Sequence, residues 1–176
     1  MSEAIRPAIA TMPEVDAIAR QMTGRAHDFS PSTHTARVTE TDMPGIQAMD
    51  RACCGQERNA QLTRWITAPD AIALASHSQD GTLTGFAVAH PDADRYWIGP
   101  VSADDGDIAS NLLRDLSAAL AGKTIQMLVP EPNQVSLLIA TELALSESGP
   151  SAPIPEQALA DLPWEKIFAL TPMELD

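Results

Sequence analysis

The chain has 176 residues, with 24 acidic against 11 basic side chains and a net charge of −13. That length suits one domain with a sizeable core. The acidic excess counts against nucleic acid and anionic membrane surfaces, both of which need a basic footprint.

The N-terminal stretch Met1–Ala10 carries Glu3, Arg6 and Pro7 and no long apolar run. A cytoplasmic protein without a leader or membrane span is therefore the expectation. Residues 5–20 resemble residues 36–51, sharing Arg, Met-Pro, Ala and Arg at matched positions. Each copy reads as a short strand, a polar cap, Pro in the first turn and an amphipathic helix, and Thr11 with Glu14 makes a capping box. The first helix would present Val15, Ile18, Ala19 and Met22. It would have to cover that face on the main domain or across a homodimer. The expected division is an extension over 1–34, either a chance likeness or the remnant of a duplicated opening, and a domain over 35–176.

Further along, Arg58–Thr67 reads as a helix with Leu62, Trp65 and Ile66 on one face. Residues 71–76 read as a strand, Asp80-Gly81 as a hairpin turn and 82–90 as the returning strand. A strand over 95–101 follows. The helix over 107–121 has Ile108, Leu112, Leu116 and Leu120 at helical spacing, and Gly122 stops it. Next come a strand over 123–129, a helix over 134–144, a Pro- and Ala-rich loop with one short helical piece over 149–163, and a final strand over 164–175, edged at Pro172. This order predicts an α+β layered domain built around one mixed sheet. Adjacent Cys53 and Cys54 do not suit a disulfide, no His or Cys pair has zinc spacing, and no metal is expected.

The junction after Tyr96-Trp97-Ile98-Gly99-Pro100-Val101 is the most informative part of the chain. A buried strand runs through Ser102–Asp105 into a helix, whose N-terminus offers free N–H groups to an anion. Asp104, Asp105 and Asp107 ring that place. They cap the helix and face its dipole, or else they attract an amine. Glu131, at the end of the next strand, is a candidate general base or a solvated neighbour of the capping Asn133. Tyr96 is a candidate acid or a packing residue. The four histidines, His27, His34, His77 and His90, show no ligand spacing.

The strand–loop–helix layout resembles the acyl-CoA pyrophosphate loop of GNAT acetyltransferases, with Asp104–Ala109 at the positions of Arg/Gln-x-x-Gly-x-Gly/Ala. From residue 35 onward the chain is similar to the C-terminal domain of tandem-GNAT, YitH-like acetyltransferases. The matching pieces are Asp50 with Gly55–Arg58, Ile98–Ala103, Val129–Asn133 and Phe168–Leu175. The resemblance implies the GNAT fold, a mixed and mostly antiparallel sheet flanked by helices. It also implies acyl transfer from acetyl-CoA or another acyl-CoA to a small-molecule amine. The Val101 N–H would hold the thioester carbonyl. Gly106, Asp107, Ile108, Ala109, Ser110 and Asn111 would hold the pyrophosphate, with Asn133 of the second motif beside them. Two departures stand out: Asp replaces the loop cation and its middle glycine, and Ala140 stands where the Tyr acid of active members falls. The alternative is a degenerate, non-catalytic GNAT-like domain for ligand binding or dimerisation.

Overall fold

The computed structural model describes residues 17–171. Among these, the strands are β1 (Ile18–Arg25), β2 (Thr35–Arg37), β3 (Ile72–His77), β4 (Leu83–Asp92), β5 (Arg95–Ala103), β6 (Thr124–Pro130), β7 (Ser146–Glu147), β8 (Ala152–Pro153) and β9 (Ile167–Ala169). They form one mixed sheet in the order β2-β3-β4-β5-β6-β1-β7, with β8 on β1 and β9 on β5. All pairs are antiparallel except β5–β6.

Helices α1 (Met43–Cys54) and α2 (Asn59–Thr67) cover one face, placing Ile46 and Leu62 on Ala73, Phe86 and Val88. Helices α3 (Gly106–Ala119) and α4 (Gln134–Glu142) cover the other, where Leu112, Leu113, Leu116 and Ile139 meet Ala87, Ile98 and Met127. With both faces covered, the central run of β4 is buried at consecutive positions rather than alternate ones, as expected for a strand between two helical layers. A short α5 (Glu156–Asp161) lies in the Pro-rich connection.

Local signals act where the sequence puts them. Pro44 opens α1, and Gly55 at φ 72° closes it, its N–H donating to the Arg51 carbonyl, a left-handed cap that suits glycine. The β3–β4 hairpin turns through Asp80-Gly81, with the Ser78 N–H on the Thr82 carbonyl at 2.9 Å. A buried pair ties the helical layer to the end of the chain. Arg58 donates to both Asp50 carboxylate oxygens, at 2.8 and 2.7 Å, and to the Thr171 hydroxyl at 3.1 Å.

The expected helix through Ile18, Ala19 and Met22 is instead strand β1. It runs antiparallel to β6 over seven matched positions, from Ala19 opposite Pro130 to Arg25 opposite Thr124. A helix there would leave a whole edge of β6 unpaired, and pairing outweighs a weak helical spacing in so short a segment. Gly24 lets β1 lie close under the end of α4, since a Cβ there would lie 2.8 Å from the Ala144 carbonyl oxygen. Thr11, Glu14 and Val15 of that reading lie outside the described residues. From β1 the chain crosses over α3 to β2 at the far edge of the sheet. The Ser32 N–H is held by Asp115 at 2.8 Å, and Phe29 lies under the Arg114 guanidinium at 4.9 Å. The expected final strand is divided into a 3-10 turn at Trp164–Lys166 and β9, and its part from Pro172 onward lies outside the described residues. No helix among the described residues is long and apolar enough to cross a membrane.

Candidate functional site

Parallel strands β5 and β6 are joined only at Tyr96–Ile98 against Ile125–Met127. Beyond that point they part, and the wedge between them opens toward the N-termini of α3 and α4. Strand β9 fills it. Ala169 lies opposite Val101 and Ile167 opposite Ser102, while the Leu170 N–H donates to the Leu128 carbonyl at 2.9 Å. Ile167, Phe168, Ala169 and Leu170 are each at most 2% exposed. Phe168 belongs to the core under α3 and α4; Ile167 and Leu170 belong to the cluster around Trp97 and Leu128. Gly99 gives β9 its room, because a Cβ there would come within 2.7 Å of the Leu170 carbonyl oxygen.

The N-cap residue of α4 and one side chain of its first turn fasten β9. Asn133 is 4% exposed; its amide donates to the Ile167 carbonyl at 2.9 Å and its oxygen accepts from the Ser136 N–H at 3.2 Å. The Ser136 hydroxyl donates to the Phe168 carbonyl. Asn133 thus serves as helix cap and strand clamp, with both ends of its side chain engaged within the protein. Val101 is fully buried, with Ala87 of β4 on one side and Ala169 on the other.

At the start of α3, the Asp105 carboxylate accepts from the Ile108 N–H at 2.9 Å. An acidic cap thereby takes one of the free donors that would meet an anion. Asp104 turns aside to the Lys166 ammonium, 3.0 Å away, and that hydrogen bond raises the lysine above its ordinary range. Asp107 is exposed in the first turn, Ile108 packs on the core, Ala109 is buried and Asn111 is half-buried. Gly106 permits a close approach to α4, since a Cβ there would meet the Val135 methyl at 2.7 Å. A groove of about 440 Å³ remains between the helices, lined by Gly106, Asp107, Ser110, Leu138 and Glu142 among others.

The two candidate acid–base residues are far apart. Tyr96 lies opposite Ile125, and Glu131 follows six residues later, about 20 Å along a strand at roughly 3.3 Å per residue. One cleft therefore does not contain both. Glu131 accepts from Arg20 at 2.7 Å, and the same guanidinium reaches Glu147 at 3.0 Å. Both contacts, that to Glu131 foremost, raise Arg20 above its ordinary range. The Glu131 carboxylate is thus held in an ion pair by Arg20. Tyr96 is half-buried against the core. Arg20 and Lys166 were absent from the sequence expectations, since their partners come from distant elements and no spacing signals them. Among the described residues, no group of three or more His, Cys, Asp or Glu is placed to hold a metal ion.

Several known proteins share this architecture. An acetyltransferase structure from Pyrococcus horikoshii superposes with a TM-score of 0.67 at 14% identity, over 91% of this chain and 52% of that one. A GNAT-family structure from Novosphingobium aromaticivorans gives 0.62 at 18% identity, over 75% and 60%. Saccharomyces cerevisiae N-myristoyltransferase, solved with bound myristoyl-CoA, gives 0.56 at 8% identity, over 74% and 45%. Such identities speak for the fold alone, and the chain spans about half the length of the Pyrococcus protein. No curated protein matches the chain in sequence. Residues 46–154 match the family described as acetyltransferase (GNAT) domain. With the fold and most of the chain accounted for in this way, the protein belongs to the GNAT acetyltransferase domain family.

Proposed function

We propose that this chain is a GNAT-fold domain whose acyl-CoA cleft is closed by its own C-terminal strand. It serves as a non-catalytic, ligand-binding or associating domain of a cytoplasmic N-acyltransferase system. The observation that carries this reading is β9 in the wedge, buried and fastened by Asn133 and Ser136. An acyl-pantetheine arm entering beside Val101 would have to displace it. Charge at the helix end adds to the closure. Two like charges at 4 Å repel by about 4 kcal/mol at an effective dielectric near 20, whereas the helix dipole returns about 0.3–1 kcal/mol at an exposed site. A pyrophosphate beside Asp105 and Asp107 is therefore disfavoured unless water screens it. The role as one domain among two is carried over from the motif resemblance to the C-terminal domain of tandem YitH-like acetyltransferases.

A second reading rests on the family match and on the open groove at the α3 N-terminus. In it, a small-molecule amine attacks an acyl-CoA thioester directly. The Val101 N–H binds the carbonyl oxygen, the first turn of α3 binds the pyrophosphate, and Glu131, released from Arg20, takes the amine proton. As the C–N bond forms the C–S bond breaks, and CoA leaves as a thiolate that takes its proton from water, since Ala140 supplies no acid.

Calorimetry with acetyl-CoA and with ADP separates the two. The closed-cleft reading expects dissociation constants of about 0.1 mM or weaker for both, because the acyl arm finds no room. Acetyl-CoA binding far tighter than ADP, with melting raised by about 2.7 kcal/mol at a hundredfold excess over the dissociation constant, would restore the transferase.

A further inference from the structure

The groove between α3 and α4 has a chemistry of its own. Its floor includes Val135 and Leu138, the two large apolar side chains most exposed among the described residues, at 47% and 65%. They sit three residues apart and so on one face of α4. Its rim carries Asp105, Asp107 and Glu142, and no ion pair to any of these three occurs among the described residues. A second cavity of about 320 Å³, which shares Ser110, Ile139 and Glu142 with the first, continues the groove down α3 to Phe29 and Arg114, so the acidic end is the one at Asp105, Asp107 and Glu142.

We infer that this groove docks a cationic amphipathic segment of a partner protein, a stretch with apolar residues at helical spacing and Lys or Arg beside them. Such a segment buries Leu138 and Val135 under its apolar face and sets its cations against Asp107 and Glu142. The charges decide against the other occupants. A second copy joined about a two-fold axis would lay these carboxylates against themselves, and the chain carries a net charge of −13. An anionic membrane surface or a nucleotide phosphate meets the same repulsion. The inference stands on the outer groove and does not depend on whether the wedge is closed.

The test uses fluorescence anisotropy with a labelled synthetic peptide of Leu and Lys, patterned to gather Leu on one helical face, and a scrambled peptide of identical composition. The whole chain is expected to bind the patterned peptide at least about fivefold more tightly than the scrambled one. Leu138→Ser, an exposed change that leaves the core intact, should weaken binding about fivefold. Asp107→Asn with Glu142→Gln should weaken it more than Glu57→Gln with Asp94→Asn, which removes the same charge elsewhere on the surface. Equal losses from both charge pairs would reduce the effect to net charge and overturn the docking site. Unchanged binding by the Leu138 variant would also overturn it, as would equal affinity for the two peptides. Displacement of the peptide by acetyl-CoA at comparable concentration would assign the groove to the nucleotide instead.

Discussion

The β5–β6 wedge and the N-terminus of α3 adjoin, and each departs from an open acyl-CoA site by a different physical route. The wedge is shut by packing: β9 supplies apolar side chains to two core clusters, and its carbonyls are taken by Asn133 and Ser136. The helix end is open in space and altered only in charge, through Asp105 and Asp107. Closure by packing is part of the stability of the fold, so undoing it undoes the domain. Closure by charge is superficial, screened by salt and reversible by substitution. Binding and stability measurements should therefore respond very differently to changes at the two places.

Phe168→Ala should show the largest effect. Truncating a fully buried aromatic costs about 3–5 kcal/mol, read as a fall in the urea midpoint at unchanged slope. A loss below about 1 kcal/mol, accompanied by a gain in acetyl-CoA binding, would mean that β9 is a detachable strap. Asn133→Ala should follow at about 1–3 kcal/mol, since it orphans the buried Ile167 carbonyl and removes the α4 cap. At the helix end, Asp104→Arg with Asp107→Gly should leave the urea midpoint nearly unchanged while strengthening ADP and acetyl-CoA about tenfold alike, or about 1.4 kcal/mol. A gain confined to acetyl-CoA would show that the acyl arm enters the wedge after all.

The smallest expected effect lies on the link between the two regions, Lys166–Asp104. The hydrogen bond to Asp104 raises the folded-state pKa of Lys166 above 10.5. Its contribution is therefore fully present below the unfolded value and is lost as pH rises through the folded one. Both groups are well exposed, so about a few tenths of a kcal/mol is at stake. Thermal melts at neutral and strongly alkaline pH should differ slightly less for Lys166→Met than for the unmodified chain. An identical alkaline loss in both would remove this pair from the account.

Much of this molecule is legible in its sequence because local signals and burial agree. The Asp80-Gly81 turn, the i, i+4 row of Leu112 and Leu116, and the junction from Ile98 into α3 all lie where their spacing puts them. Strand β1 is hidden in the sequence because Ile18, Ala19 and Met22 fit a helical spacing, while the edge of β6 that claims them lies more than a hundred residues away. The role of β9 was equally hidden. Phe168-Ala169-Leu170 reads as a strand, but nothing local says that it enters between β5 and β6 rather than at an edge. The sequence reads Asp104, Asp105 and Asp107 alike, as caps facing the helix dipole or as a site for an amine, and does not tell the three apart. In the structure Asp105 caps α3 from the groove rim, Asp104 pairs with Lys166, and Asp107 lies on the rim beside Asp105. Side-chain direction of that kind is decided by tertiary neighbours, which composition and spacing do not contain.

The position of β1 and β9 beside the central strands also governs how the chain reaches its native state. Strand β6 needs a partner from residues 18–25, and β5 needs one from residues 167–169, so the middle of the sheet is completed by the two ends of the described chain. Loop closure over such separations is slow relative to helix formation or hairpin zipping. On the ribosome, everything through α4 can be outside the exit tunnel while the sheet centre still shows an unfilled apolar cleft. The nascent domain is thus exposed to aggregation until β9 emerges, and a ribosome stalled before Ile167 would hold a sheet whose central cleft is open to chaperones.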